Sequence, residues 1–193
     1  MAGGGRGGRG GGGRSRQRGA LCSVLCVLPL VLVVLFGGSG SAWAVRVSNA
    51  VASDPATCNS YYVGSSGNNF MVGRLDETKA RLYERIIGST TARDSLWDVK
   101  FRNGRLYAVG STSGDVGNNR DGSFQDAVVI VYDALSGGVL RRNQYDIRAS
   151  YDNVARSVDF DGDGNLLLMS VGQSLESGSI SSRLPLNLLQ VDA

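Results

Sequence analysis

The residues best suited to chemistry in this chain are acidic. Asp159-Phe160-Asp161-Gly162-Asp163-Gly164-Asn165 sets carboxylates at alternate positions around glycine. Hard cations favour several carboxylate oxygens gathered on a tight turn, so Asp159, Asp161, Asp163 and Asn165 form a candidate calcium loop. The ligand set is incomplete, because Leu167 and Ser170 stand at the ninth and twelfth positions of such a loop. An earlier hairpin at the corresponding place, Arg102-Asn103-Gly104-Arg105, carries no acid. The same turn therefore forms without a metal, and Asp with Gly also suits a plain polar turn. Calcium is the one cofactor the sequence suggests. Asp94-Ser95 and Asp152-Asn153 recur ahead of equivalent apolar runs and read as turn-formers. Were the chain a polysaccharide hydrolase or lyase, Asp94, Asp98, Asp159 and Asp163 would be its acidic catalysts. With no histidine at all, the chain supplies no Ser-His-Asp triad, no Cys-His pair and no imidazole metal site. Gly110-Ser111-Thr112-Ser113-Gly114 lacks the lysine of a phosphate-binding loop. Trp97, Tyr107, Tyr132, Tyr145 and Tyr151 could line a sugar-binding face, but Trp97 and Tyr107 fall on strand positions, which favours core packing.

The elements that must position these residues repeat. Phe70–Asp76, Ala127–Asp133 and Leu186–Asp192 share one apolar pattern ending in aspartate, and those aspartates stand 57 and 59 residues apart. Leu96–Phe101 leads to Leu106–Gly110 much as Ala155–Phe160 leads to Leu166–Ser170. Tyr61–Gly67 echoes Tyr107–Gly114. Val, Ile, Tyr, Phe and Leu fill the runs while Gly, Asn, Asp and Ser bound them, so each unit reads as four short strands. These fall at about 70–75, 80–87, 95–101 and 105–110, then at about 127–132, 138–145, 154–160 and 165–171. Asn103-Gly104 supplies the positive φ values of a two-residue hairpin. Glu77–Ile87 has the charges of a helix face, but the repeat assigns it to a strand.

Four-stranded units recurring at this period mark a β-propeller. Asn103–Asp115 followed by Phe124–Asp133 resembles the SBBP repeat, named for seven-bladed propellers; the likeness covers about residues 60–192. Met169-Ser170-Val171-Gly172 departs from the Gly-Ser-Thr ending of that pattern. The resemblance implies exported, surface-associated proteins without common catalytic residues. The expected fold is all-β, with propeller-like blades of four antiparallel strands in an incomplete or open ring. The units run from about 70 to 126 and from 127 to 185, with partial units at 60–69 and 186–193 and a short linker at 45–59. Two full blades and two partial ones are too few to close a ring. The expectation is, in order, a piece of a longer array, a chain that completes a ring by self-association or with a partner, or an open stack with exposed edges.

Residues 1–44 hold five arginines and no acid, then the apolar run Leu21–Phe36, then Ala42-Trp43-Ala44. A basic region, an apolar region and a small-x-small site make a secretory signal cleaved after Ala44. The run is short for a membrane span of about 20 residues. An uncleaved signal-anchor, giving a single-pass membrane protein, is the alternative. Gly5–Gly11 has the look of an RNA-contacting RGG segment, but beside an export signal no nucleic-acid partner is expected. The formal charge of +3 belongs to this leader, the rest being slightly acidic. Cleavage would remove Cys22 and Cys26 and leave Cys58 without an internal partner. The expected function is that of an exported, non-catalytic binding or structural module for a protein or carbohydrate, at the cell surface or secreted.

Overall fold

The computed structural model describes residues 45–88, 92–116, 124–146, 152–173 and 186–191, with backbone alone for 171–173 and 186–191. Eleven strands account for nearly all of it: β1 (Arg46–Ser53), β2 (Ser60–Ser66), β3 (Asn69–Leu75), β4 (Arg81–Ile87), β5 (Asp94–Arg102), β6 (Arg105–Thr112), β7 (Asp126–Asp133), β8 (Val139–Tyr145), β9 (Asp152–Phe160), β10 (Leu166–Gln173) and β11 (Leu186–Val191). Among the described residues there is no helix, and so none long and apolar enough to cross a membrane. The expected strand positions agree with the observed ones to within about two residues, including β4 in place of a helix.

The phase of the repeat differs from the expected one. Antiparallel pairing joins β1-β2-β3-β4 into a first sheet, β5-β6-β7-β8 into a second and β9-β10-β11 into a third. The sheets therefore begin at Arg46, Asp94 and Asp152, not at residues 70 and 127. A repeat can be cut at any strand when only its period is visible; the hydrogen bonds choose the cut. The segment read as a linker, 45–59, contains β1, which pairs along its length with β2. Its Arg46-Val47-Ser48-Asn49-Ala50-Val51 alternates too weakly to announce a strand.

Stacking follows from the second sheet being apolar on both faces. Leu106, Ala108, Val128, Ile130 and Tyr132 pack with Tyr61, Val63, Phe70 and Val72 of the first sheet. The alternate residues Tyr107, Val109, Ala127 and Val129 pack with Ala155, Val158, Leu166 and Leu168 of the third. Two buried faces explain why β6 and β7 read as unbroken apolar runs and not as alternation. The three sheets form an open stack of propeller-like blades, none closed into a barrel.

First strands lie side by side along the stack, and each carries a bulge at the same place: between Ser48 and Ala50, between Leu96 and Asp98, and opposite Met169/Ser170. Close backbone approach there requires glycine on the second strand. A Cβ on Gly64 would fall 1.8 Å from the Val47 carbonyl oxygen, and one on Gly110 1.9 Å from that of Ser95. Ser170 holds the equivalent position in the third sheet and its hydroxyl is buried without a hydrogen-bond partner. That is where the sequence departs from the repeat pattern.

Candidate functional site

Chain direction places the connections at two ends of the stack. At one end lie 54–59, 76–80, 103–104, 134–138 and 161–165. The calcium candidates sit here. Asp161 Oδ1 accepts from the Asp163 and Asn165 amides at 3.0 and 2.8 Å, and Oδ2 accepts from Asn165 Nδ2 at 2.9 Å. The Asp161 amide donates to the Asn165 carbonyl, and the Gly164 amide to that of Asp161. Residues 76–80 repeat the backbone part of this arrangement: Asp76 Oδ1 accepts from the Thr78 and Ala80 amides, and the Asp76 amide donates to the Ala80 carbonyl; the Thr78 hydroxyl, in place of the Asn165 amide, supplies the side-chain bond. Lys79, at φ 69°, stands where Gly164 has φ 95°. Asp133 and Asp54 close their hairpins in related ways, through Ser136 and through Ala56 with Thr57.

The Asp161 carboxyl is held below the ordinary aspartate value, first by the Asn165 side-chain amide and then by backbone amides. Thr78 does the same for Asp76, and Ser136 for Asp133. The structure thus brings Asp161 and Asn165 together as a turn closure of a kind the chain also builds around a lysine. Asp159 lies on β9, where its own oxygen accepts from the Phe160 amide and stands 3.9 Å from Lys100 Nζ. Asp163 is exposed at the turn. Among the described residues, no three Asp, Glu or Cys side chains converge to hold a metal ion.

The opposite end is built differently. Its connections include 113–125, of which 117–123 lie outside the described residues, and 174–185, which lies wholly outside them. Asp94 was expected in a turn; it is instead the first residue of β5, in one row with Thr112 and Asp126. Both acids are only 2% exposed. Thr112 Oγ1 donates to Asp94 Oδ1 at 2.6 Å and accepts from the Gly114 amide at 2.9 Å. Gln144 Nε2 donates to Asp126 Oδ2 at 2.6 Å and to the Gly114 carbonyl at 3.0 Å, while its oxygen accepts from the Val116 amide. Charged acceptors make the stronger class of hydrogen bond, and burial raises the cost of losing one. Together these groups root the 113–125 connection on the sheet. Successive sheets are also joined here: the Asp94 amide donates to the Asn68 carbonyl, and the Asn153 amide to that of Gln125. Asp152 binds the Gln125 amide. The structural counterpart of Asp94 is therefore Asn153, and not Asp152 as the dipeptides suggest.

A third group follows the first-strand bulges. Asn49 Nδ2 donates to the Leu96 carbonyl at 2.6 Å, tying β1 to β5. Asp98 Oδ2 accepts from the Val158 amide at 3.0 Å and the Ser157 hydroxyl at 2.8 Å, tying β5 to β9. Trp97 carries the Arg156 guanidinium 4.3 Å from its ring centroid. Of the other aromatic candidates, Tyr107 packs edge-on against Phe160 in the second core and Tyr132 is fully buried in the first. Tyr151 lies outside the described residues.

The four suspected catalysts are thus dispersed. Asp94 is buried at the loop end, Asp98 faces the third sheet, and Asp159 and Asp163 belong to the hairpin end. Sequence reasoning missed Thr112, Asp126 and Gln144, although the start of the Asp-Ala-aliphatic run was a visible signal for Asp126. Cys58, at φ 56°, is disulfide-bonded in the full chain, whereas the expectation of no internal partner concerns the chain after cleavage; Cys22 and Cys26 lie outside the described residues. No family model matches the chain, and no curated protein matches it.

Proposed function

We propose that the chain is an exported, non-catalytic repeat protein of the SBBP propeller type, acting as a binding or structural module. The observation that carries this reading is the assignment of its acids. Asp94, Asp98, Asp126 and Asp161 each hold a backbone segment or a neighbouring polar side chain, and the two most buried belong to the group that roots the described ends of the 113–125 connection. Loops held on a rigid sheet scaffold are where binding residues concentrate. The contact surface is then the 113–125 end, and the partner a protein or a carbohydrate. Export rests on the basic, apolar and small-x-small order of residues 1–44.

The test is to express the full chain in a secreting cell, sequence the amino terminus of the released product, and screen that product on glycan and protein arrays. A product beginning at Val45, with ligand binding lost on replacing 117–123 by a glycine-serine loop of equal length, is the expected result. Retention in the membrane would favour the signal-anchor alternative. Polysaccharide cleavage abolished by Asp98→Asn or Asp159→Asn would favour the hydrolase or lyase alternative and remove this reading.

A further inference from the structure

The face of the first sheet turned away from the second is crossed by a charged pair. Register places Tyr62, Gly73 and Glu84 in one row on it, with Met71 in the next row and Val51 and Ile86 on the two edge strands. Arg46 lies on β1 and Glu84 on β4, at opposite edges of the four-stranded order. Their charged groups nevertheless meet, Arg46 Nη1 standing 2.6 Å from Glu84 Oε1. Neighbouring strands are about 4.8 Å apart, so a pair spanning three such steps requires side chains laid across the sheet surface. Tyr62 OH donates to the other Glu84 oxygen at 2.8 Å, and Arg81 adds a second guanidinium at 3.5 Å. The Tyr62 ring lies over Gly73, where a Cβ would fall 2.1 Å from it. Burial follows the same line. Met71, on a central strand, is 3% exposed, whereas Val51 and Ile86 at the margins are 58% and 47% exposed.

The second sheet shows what this face looks like when it receives a neighbour. At the positions of Tyr62, Met71 and Gly73 it carries Ala108, Val128 and Ile130, and the first sheet packs directly on them. Small and aliphatic side chains leave a surface that another sheet can approach to about 10 Å. A flat aromatic ring crossed by an ion pair does not, because an incoming sheet would have to strip water from the pair or displace it.

We infer that the Arg46–Glu84 pair, with Tyr62 joined to it, is a strap that makes the first sheet an end cap, closing this face to the sheets of a second copy of the chain. Stacked-repeat architectures need such polar terminal faces to stay soluble. Opening the strap uncovers Met71 between Val51 and Ile86 and turns the cap into an apolar acceptor. The inference is independent of what the opposite loops bind.

Sedimentation velocity on the secreted product, across a concentration series, tests it. Arg46→Ala with Glu84→Ala should tighten self-association at least tenfold relative to the unmodified chain and increase binding of an apolar fluorescent dye. Arg46→Glu with Glu84→Arg, which keeps a pair in place, should leave association unchanged. Tyr62→Phe, which removes only the hydroxyl, should produce a smaller increase than the double alanine change. Should that double variant fail to give a native circular-dichroism spectrum, the comparison of Tyr62→Phe with the unmodified chain decides. A folded variant that associates no more than the unmodified chain overturns the inference. So does an unmodified chain whose self-association is weakened by these changes, since the face would then already be an interface.

Discussion

The two ends of the stack solve the same problem by different means. At the hairpin end, four of the five connections are closed by an aspartate that accepts from amides or hydroxyls within its own turn. These aspartate contacts are local and largely solvated, although the 134–138 turn is also joined to Gly104 and to Tyr83 of the first sheet. At the loop end, Asp94, Thr112, Asp126 and Gln144 form a buried group that reaches between strands β5, β6, β7 and β8 and into the 113–125 connection. The same side-chain chemistry is a turn device in one place and a tertiary joint in the other. Burial makes the difference, since a hydrogen bond to a carboxylate in contact with water has a ready substitute and one away from water has none.

That contrast can be broken or sharpened by measurement. Gln144→Leu should have the largest effect, a loss of about 2 to 3 kcal/mol in chemical denaturation, because it removes the donor to a buried carboxylate. Thr112→Val should cost about as much, and the pair together should fall short of the sum, since both hold Gly114 and its flanks. Strictly additive losses would show the loop-end group to be no network. Gly104→Ala should cost about 1 kcal/mol, for a reason confined to the backbone: φ is 72° and an added Cβ would meet nothing within 4 Å.

Asp161→Ala and Asp76→Ala should be milder, lowering Tm by a few degrees at most and adding when combined. Their pH signature follows from carboxyl values held low in the fold. The stabilisation is complete above the unfolded aspartate value of about 4 and is lost as pH falls through the lower folded values. A melting series between pH 5 and 2 should therefore show a steepening loss that is reduced in the Asp161→Ala and Asp76→Ala double variant. At the alkaline limit the sign reverses. Burial pushes the Tyr83 hydroxyl up to about 12, so its contribution is full below pH 10 and fades between about 10 and 12. Tyr83→Phe should flatten the alkaline part of the same series.

Much of this is legible in the amino-acid sequence. Asn103-Gly104 announces its hairpin because positive φ at two consecutive residues is a local demand that few residue pairs meet. The apolar runs at 106–109 and 127–132 mark strands because β-branched and aromatic side chains suit an extended backbone wherever it is placed. Less legible was β1, whose pattern is broken by the bulge at Asn49 and whose edge position leaves Val51 exposed. The pattern at 159–165 is ambiguous for a physical reason: Asp and Gly at alternate positions satisfy a turn's own amides as well as they would a cation. The burial of Asp94 is not legible, because an acid beside serine at a strand boundary is more often a turn-former than a buried acceptor.

The amino-acid sequence by itself determined which segments are strands and which are tight turns, because alternation, branching at Cβ and the freedom of glycine act over a few neighbouring residues. Only the tertiary structure decided which strands share a sheet, that Asp94 and Asp126 are buried beside Thr112, and that Arg46 crosses the first sheet to Glu84. Those pairings join residues tens of positions apart, and their energies depend on how much water each contact excludes, a quantity that exists only once the sheets are stacked.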